Sequence, residues 1–220
     1  MLVSFGNIID ADINEKVIAL HHAFAKNPFA GIIETVPAYS SLAVFYDLLS
    51  IRSHNSTASA FDIVKEHVIS LLERPGSGKA ADENNMIRVP VLYDGEDLAG
   101  IAMLHDISIN ELIGIHSNTI YRVYMIGFQP GFTYMGKLDD RIATPRRSDP
   151  RTLVPAGSVG IAGHQTGIYP LASPGGWQLI GRTTLKIFDR DKEDPCLFKP
   201  GDKVQFISIS KEEFEDSNEY

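Results

Sequence analysis

The stretch that decides the fold runs from Gly127 to Thr183 and reads GFQPGFTYMGKLDDRIATPRRSDPRTLVPAGSVGIAGHQTGIYPLASPGGWQLIGRT. It holds ten of the chain's 18 glycines and six of its 12 prolines, so no amphipathic helix can run through it. Its aromatic and β-branched residues are too frequent for a linker. Gly and Pro therefore predict fixed turns between short strands, which is typical of a β-barrel or a β-sandwich.

The same stretch inverts the charge of the chain. It carries six Lys or Arg residues against three Asp residues, whereas the whole 220-residue protein has a formal net charge of −8. A cationic, turn-rich segment inside an acidic protein favours an anionic ligand. The acidic balance of the whole chain, with a pI near 5.3, argues against nucleic acid as a partner.

The composition is that of an ordinary globular protein, with 44% hydrophobic and 22% charged residues. We expect no membrane segment, because no apolar run approaches the roughly 20 residues that a spanning helix needs. We also expect no signal peptide, because the N-terminus lacks a basic region followed by a long apolar one. The one cysteine, Cys196, excludes an internal disulfide and a cysteine metal cluster, and it fits a cytoplasmic location.

The residues before the central stretch predict a separate α+β domain. Strands are expected at residues 1–5, 31–36, 41–46 and 86–93, and two helices present apolar faces made of Ile13, Val17, Leu20 and Phe24, and of Phe61, Val64, Val68 and Leu71. The resulting order, βαββαβ, is the ferredoxin-like pattern. We therefore place an N-terminal domain at residues 1–93 and a β-barrel domain at residues 94–220, with an acidic tail frayed from about residue 211.

Two glycine motifs look like nucleotide-binding loops but do not fit the templates. The segment Arg74-Pro-Gly-Ser-Gly-Lys79 has Glu73 and Ala80 where a phosphate-binding loop needs a glycine and a hydroxyl, so we expect a flexible surface loop. A second run begins at Gly157 with GxxGxxG spacing and no helix after it, which argues against a dinucleotide site. The seven histidines are scattered without an HExxH motif, and we predict no metal site.

The central stretch supplies a candidate substrate-binding set of cationic, amide, hydroxyl and aromatic side chains, namely Arg146, Arg147, His164, Gln165, Thr166, Tyr169, Trp177 and Arg182. Guanidinium groups pair bidentately with carboxylate or phosphate, although each arginine, Arg151 included, can equally tie a strand to a turn. The amide and hydroxyl groups can orient a lactam or ureido group. Trp177 can form a pocket wall or belong to the barrel core, and Gly175-Gly176 can offer backbone N–H groups to an anion.

Several blocks of the chain resemble one bacterial protein family. They are, in order, GFQPGF from Gly127, ATPRR from Ala143, VPAGSVGIAG from Val154, QTGIYP from Gln165 and SPGGWQLIGRT from Ser173. On these blocks the chain resembles the family that contains the KipI sporulation-kinase inhibitor, the B subunit of bacterial 5-oxoprolinase (PxpB) and the proteins called allophanate hydrolase subunit 1. The resemblance spans nearly the whole chain.

The resemblance implies a small α+β domain followed by a cyclophilin-like β-barrel. It implies, as the first hypothesis, a subunit of an ATP-dependent 5-oxoprolinase that opens 5-oxo-L-proline to L-glutamate. The expected partners are a sister subunit of the PxpC or KipA type and a PxpA (LamB/YcsF-type) subunit. ATP would act at the level of the complex, because this chain has no complete nucleotide motif. In such an enzyme Arg146 or Arg182 would anchor the substrate carboxylate, and Gln165 would orient the lactam.

Two other functions are compatible with the resemblance. One is an inhibitor that docks on a sensor histidine kinase, and the other is a component of a carboxyltransferase or amidohydrolase that handles urea or allophanate. Prolyl isomerisation is not supported, because a cyclophilin-like fold does not imply that function. No catalytic acid or base is identified from the sequence.

Overall fold

The computed structural model describes residues 1–53, 58–74 and 86–217. The chain divides into two compact units, Met1–Asn84 and Asn85–Tyr220. The loop that we compared with a phosphate-binding loop lies outside the described residues from position 75 onward, and so do the final three residues of the chain.

The described residues of the first unit form three strands and three helices: β1 (Leu2–Ser4), α1 (Ala11–Lys26), β2 (Ile32–Pro37), β3 (Ser41–Tyr46), α2 (Leu48–Ser53) and α3 (Ala60–Leu72). The strands form an antiparallel sheet in the order β1-β3-β2. Asp10 begins α1 by accepting hydrogen bonds from the backbone N–H groups of Asp12 and Ile13. Both predicted helices are confirmed, and most of their predicted apolar positions pack with the sheet in one core that includes Leu20, Val44 and Val64, whereas Phe61 is 52% exposed.

The fourth strand that we expected in the first domain belongs to the second unit. This strand, β4 (Met86–Val91), pairs in parallel with β12 (Lys203–Ser208). The ferredoxin-like sheet is therefore not confirmed, and the described residues of the first unit hold three strands. Alternation along β4 correctly predicted one buried face, but that face, with Val89 and Val91, packs into the core of the second unit.

The second unit contains most of the strands. After β4 come α4 (Leu98–Leu104), α5 (Ile109–Asn118), β5 (Ile120–Ile126), β6 (Thr133–Gly136), a short 3₁₀ helix (Asp140–Ile142), β7 (Arg151–Val154), β8 (Ser158–Ala162), β9 (Gln165–Ile168), β10 (Ser173–Gly175), β11 (Gln178–Arg182), β12 and α6 (Lys211–Asp216). The predicted division of the central stretch into short strands is confirmed. Strands β7 and β10 form a small sheet of their own.

The other seven strands of the second unit make a nearly closed, barrel-like sheet in the order β11-β8-β9-β6-β5-β12-β4. Two backbone hydrogen bonds join its ends, because the N–H groups of Leu92 and Arg182 each donate to the other residue's carbonyl oxygen at 2.9 Å. Aliphatic and aromatic side chains such as Val123, Ile161 and Phe206 fill the interior. The second unit is thus a barrel-type fold with helices α4 and α5 packed on it.

The acidic tail is helical where the sequence predicted fraying. Residues 211–216 form α6, which begins with a capping box in which Ser210 and Glu213 satisfy each other's backbone N–H groups. The side chain of Phe214 is buried, and the guanidinium carbon of Arg182 lies 4.7 Å from the centre of its ring. Burial of that one ring anchors a segment that its charge alone would leave in water.

No single helix within the described residues is long and apolar enough to cross a membrane. Helices α4 and α5 taken together are long and apolar enough to cross a membrane, by length and composition only, but the pair is bent by 99°. Both helices contribute buried side chains to the core of the second unit, among them Ile101 and Leu112.

The seam of the barrel, where Leu92 and Arg182 join the two ends of the sheet, depends on close approach of the backbone at Gly181. A Cβ atom at this position would lie 2.6 Å from the carbonyl oxygen of Leu92 and 2.8 Å from a methyl group of Val91. We expect Gly181→Ala to lower the free energy of unfolding by about 1–3 kcal/mol, because the strands must move apart. Denaturant unfolding measures the change.

The matched control is Gly100→Ala. Gly100 lies on the exposed side of α4, and nothing stands within 4 Å of a Cβ added there. Alanine should stabilise that helix by about 0.5–1 kcal/mol. Equal effects of the two substitutions would contradict the steric account of the seam.

Candidate functional site

A pocket of about 200 Å³ opens in the second unit next to the small sheet of β7 and β10. The residues that line it are Phe128, Phe132, Tyr134, Arg146, Pro150, Tyr169, Pro174, Gly175, Gly176 and Trp177. Three of the predicted site residues, Arg146, Tyr169 and Trp177, are therefore brought together. The Gly175-Gly176 pair, which we expected to offer backbone groups, also lies in the lining.

The pocket wall is an aromatic cluster centred on Phe132. Its ring centre lies 4.8 Å from that of Tyr134, 5.2 Å from that of Tyr169 and 5.4 Å from that of Trp177. All three contacts are edge-to-face, which is the favoured geometry of aromatic pairs. Trp177 is only 4% exposed, so it belongs to the core and still presents part of its surface to the pocket.

Strand ends position the rings of this cluster. Phe132 immediately precedes β6 and Tyr134 lies within it, while Tyr169 follows β9 and Trp177 precedes β11. At Gly175 the backbone passes so close to Tyr169 that a Cβ atom would overlap its hydroxyl and ring. A glycine is therefore required there for the Tyr169 ring to keep its place.

Arg146 is the cation of the pocket. Its guanidinium carbon lies 5.9 Å from the centre of the Trp177 ring, within the range of a cation–π contact. Burial raises the pKa of Tyr134 and of Tyr169, and the nearby positive charge of Arg146 opposes that rise at both hydroxyls. In the part of the chain that the structure describes, no carboxylate lies within 4.0 Å of the Arg146 guanidinium.

The other candidate arginines have carboxylate partners. Arg147 pairs with Asp97 at 3.0 Å, and Arg151 pairs with the same carboxylate at 2.8 Å. Arg182 pairs with Asp94 at 2.8 Å. The sequence left Arg146 and Arg182 as alternative candidates for binding the substrate carboxylate. The structure places Arg146 in the pocket and Arg182 in an ion pair next to α6.

Asp97 joins three segments of the second unit. It stands at the N-terminus of α4, accepts a hydrogen bond from the backbone N–H of Leu179 at 2.6 Å, and receives Arg147 and Arg151. The backbone N–H of Arg147 in turn donates to the carbonyl oxygen of Gly176 at 2.8 Å. Sequence reasoning missed Asp97, because its partners are far away along the chain.

The remaining predicted residues lie elsewhere. The side chain of His164 is 60% exposed and lies 3.3 Å from Asp140. Gln165 pairs with Ala162 at the turn between β8 and β9 and is not among the described residues that line the pocket. Thr166, the next residue of β9, is fully buried. Their roles in substrate binding stay predictions.

Thr166 belongs to a buried chain of hydrogen bonds centred on His116, which sequence reasoning also missed. The hydroxyl of Thr166 donates to the carbonyl oxygen of Gly160 at 3.1 Å, so it accepts from Nε2 of His116 at 2.9 Å. Nδ1 of His116 then accepts from the hydroxyl of Tyr93 at 2.7 Å. Complete burial lowers the pKa of His116 to about 3, which fits this neutral tautomer.

The groups that line the pocket can bind a small anion against apolar walls. Its described lining contains one cation, two phenol groups and apolar walls, with no carboxylate or histidine among them. The raised pKa values of Tyr134 and Tyr169 keep both phenols protonated at neutral pH. Across the described ranges, no group of three or more His, Cys, Asp or Glu side chains is placed to hold a metal ion.

The fold and this site define a known class of protein domain. The family model of the carboxyltransferase domain, subdomain C and D, matches residues 1–198, and the chain belongs to this family. Among curated relatives, the B subunit of 5-oxoprolinase from Bacillus subtilis (strain 168) is 43% identical over 97% of this chain and 91% of its own length.

Two larger proteins show the same domain inside longer chains. The crystal structure of TTHA0988 matches 96% of this chain with a TM-score of 0.85 and 34% identity. The match covers 40% of the TTHA0988 chain. The urea amidolyase of Saccharomyces cerevisiae is 24% identical over the full length of this chain, which corresponds to 13% of that protein.

Removing the charge of Asp97 should destabilise the second unit. We expect Asp97→Asn to lower the free energy of unfolding by about 1–3 kcal/mol, because two arginines and one backbone N–H lose a largely buried carboxylate. Glu96→Gln is the matched control, because its side chain is 75% exposed and pairs only with Arg151. Its effect should stay within about 0.5 kcal/mol. Similar losses in the two variants would contradict the central role of Asp97.

His116 predicts a pH dependence of stability with a definite sign. Its pKa is about 3 in the folded protein and near 6.5 in the unfolded chain, so the unfolded chain binds the extra proton between these values. The free energy of unfolding should therefore fall as pH is lowered from about 6.5 towards 3.

Comparison with His116→Gln isolates this contribution. The variant should show a shallower pH slope over the same window, because His21 and His67, whose pKa values burial also lowers, are present in both proteins. Urea unfolding at a series of pH values measures both slopes. Equal slopes would refute the assignment to His116.

Proposed function

We propose that this chain is the B subunit of an ATP-dependent 5-oxoprolinase complex, which opens 5-oxo-L-proline to L-glutamate. The observation that carries this proposal is the 43% identity to the Bacillus subtilis protein that bears this name, extending over 97% of this chain. The cationic pocket supports it, since 5-oxoproline is a small cyclic carboxylate. In this proposal the barrel is cyclophilin-like, and the complex acts in the cytoplasm.

The chemistry explains why other subunits are needed. A lactam resists hydrolysis, and we propose that ATP activates it by phosphorylating the lactam oxygen. Water then adds to the ring carbon and the C–N bond breaks, leaving the amino group and a γ-glutamyl phosphate that a second water hydrolyses to glutamate and phosphate. This chain has no complete nucleotide-binding motif, so we assign ATP binding to a PxpC/KipA-type sister subunit or a PxpA-type subunit.

A second candidate is a carboxyltransferase component that handles urea-derived substrates. The observation that favours it is the match to the urea amidolyase of Saccharomyces cerevisiae along the whole of this chain. The identity of 24% is much lower than that to the Bacillus subtilis protein, and the match covers 13% of the larger enzyme. We therefore rank it second.

Reconstitution of the complex tests the first candidate. The sister subunits are purified and supplied with 5-oxoproline and ATP, with and without this chain, and glutamate and ADP are measured. We expect coupled release of both products only when this chain is present. Glutamate release that persists undiminished without the chain would refute the proposal.

Two further reactions sharpen the result. The same mixture with this chain denatured beforehand should be inactive. That result would show that the activity needs the folded chain and does not come from a contaminant. Urea and bicarbonate replace 5-oxoproline in a parallel assay. ATP hydrolysis that responds to urea and not to 5-oxoproline would favour the second candidate.

A further inference from the structure

The pocket beside β7 and β10 combines one charge with apolar walls. Of its described lining residues, Arg146 alone is charged, and the others are aromatic rings, prolines and glycines. Arg146 is exposed, and its guanidinium carbon lies 5.9 Å from the centre of the Trp177 ring, so its charge is open to an anion that enters the pocket. The volume of about 200 Å³ lies below the usual range of drug-sized sites, which limits the ligand to roughly the size of an amino acid.

The surroundings of Arg146 direct its charge to a ligand rather than to the protein. Arg147, Arg151 and Arg182 have carboxylate partners in Asp97, Glu96 and Asp94. Arg146 has no such carboxylate partner in residues 1–53, 58–74 and 86–217. Arg146 lies over the ring of Trp177, and a guanidinium group over a ring can still donate to a carboxylate at its edge.

The walls of the pocket suit a flat, weakly polar ring. Phe132, Tyr169 and Trp177 are nearly fully buried and hold one another in edge-to-face contacts, so the wall is rigid. The phenol groups of Tyr134 and Tyr169 add polar atoms near Arg146. A ring that carries a carboxylate and an amide would find an apolar face and a cation together.

A strained residue stands at the edge of this pocket. Phe128 has a backbone φ of +70°, which a bulky side chain rarely adopts, and its ring is 64% exposed. It touches Phe132 edge-to-face, with ring centres 5.5 Å apart. Strained backbone of this kind is concentrated at functional sites, and here it accompanies an exposed aromatic ring in the lining of the pocket.

We infer that this pocket binds 5-oxoproline, with the carboxylate on Arg146 and the pyrrolidinone ring against Trp177. The name of the ligand rests on the proposed function, whereas the class of small cyclic carboxylates rests on the pocket itself. Arg146 is then the carboxylate anchor, and Arg182 is not. Gln165 does not contact the lactam at this site.

Trp177 provides a direct measurement, because it is the only tryptophan in the chain. The full-length protein is titrated with 5-oxoproline, with cyclopentanecarboxylate, which keeps the ring and the carboxylate, and with 2-pyrrolidinone, which lacks the carboxylate. We expect saturable changes in fluorescence with the first two ligands. The affinity for 2-pyrrolidinone should be about tenfold to a hundredfold weaker, the usual effect of losing a charge-assisted pair.

Variants assign the response to the pocket. Arg146→Gln should weaken 5-oxoproline by about tenfold or more and leave 2-pyrrolidinone nearly unchanged. Gly175→Ala should weaken both ligands, because the added Cβ displaces the Tyr169 ring. The control is Arg190→Gln, whose parent side chain is 85% exposed and pairs with Asp191 at the surface. It should bind like the wild type, and circular dichroism checks that each variant is folded.

Several results would overturn the inference. One is the absence of a saturable response to 5-oxoproline, and another is a response that Arg146→Gln leaves intact. Binding of cyclopentanecarboxylate without 5-oxoproline would overturn the identity of the ligand. A proline-containing tetrapeptide is tested in parallel, and Arg146-dependent binding of that peptide in place of 5-oxoproline would assign the pocket to a protein partner.

The reconstituted complex separates this inference from the proposed function. With Arg146→Gln in place of the wild-type chain, the KM for 5-oxoproline should rise by about tenfold or more, while Arg190→Gln should leave it unchanged. An unchanged KM in the Arg146 variant would overturn the binding site and leave the proposed function standing. Failure of the proposed function itself appears only in the omission experiment, as glutamate release without this chain.

Discussion

The carboxylate of Asp97 is the interaction on which the arrangement of the site depends. It ties the N-terminus of α4 to the backbone of β11 at Leu179. It also pairs with Arg147 and Arg151, which flank a short loop. Its side chain is only 11% exposed and receives three donors, namely the backbone N–H of Leu179 and the guanidinium groups of Arg147 and Arg151. Through Arg147 the same contact reaches the backbone of Gly176, at the edge of the pocket.

This arrangement sorts the arginines of the central stretch into two kinds. Arg147 and Arg151 are both paired with Asp97, and the predicted role of Arg147 in substrate binding stays a prediction. Arg146, one position before Arg147, lines the pocket, and its guanidinium carbon lies 5.9 Å from the centre of the Trp177 ring. Neighbouring arginines thus differ in their surroundings, because Asp97 pairs with Arg147 and Arg151 and not with Arg146. The local excess of positive charge is real, and Arg146 is the charged residue among the described residues that line the pocket.

The sequence predicted the short strands of the central stretch and three pocket residues, because Gly, Pro and aromatic residues act locally. It could not identify which arginine would be neutralised, since Asp97 is 50 residues from Arg147 and Asp94 is 88 residues from Arg182. The alternation of residues along β4 predicted that one face is buried, but it could not show which sheet the strand joins. The chain from Tyr93 through His116 to Thr166 was missed for the same reason, because its members are far apart in the sequence.

The pairing of β4 with β12 has a consequence for the order of events during synthesis. The two strands stand near the start and near the end of the second unit, and they lie side by side in parallel. During synthesis the first unit can fold before the second unit has been made. The edge of β4 that pairs with β12 stays unpaired until residue 208 has emerged from the ribosome. Such non-local pairing is slow, and an unpaired edge invites association with other chains. The barrel is therefore vulnerable to aggregation for most of the time that it is being made.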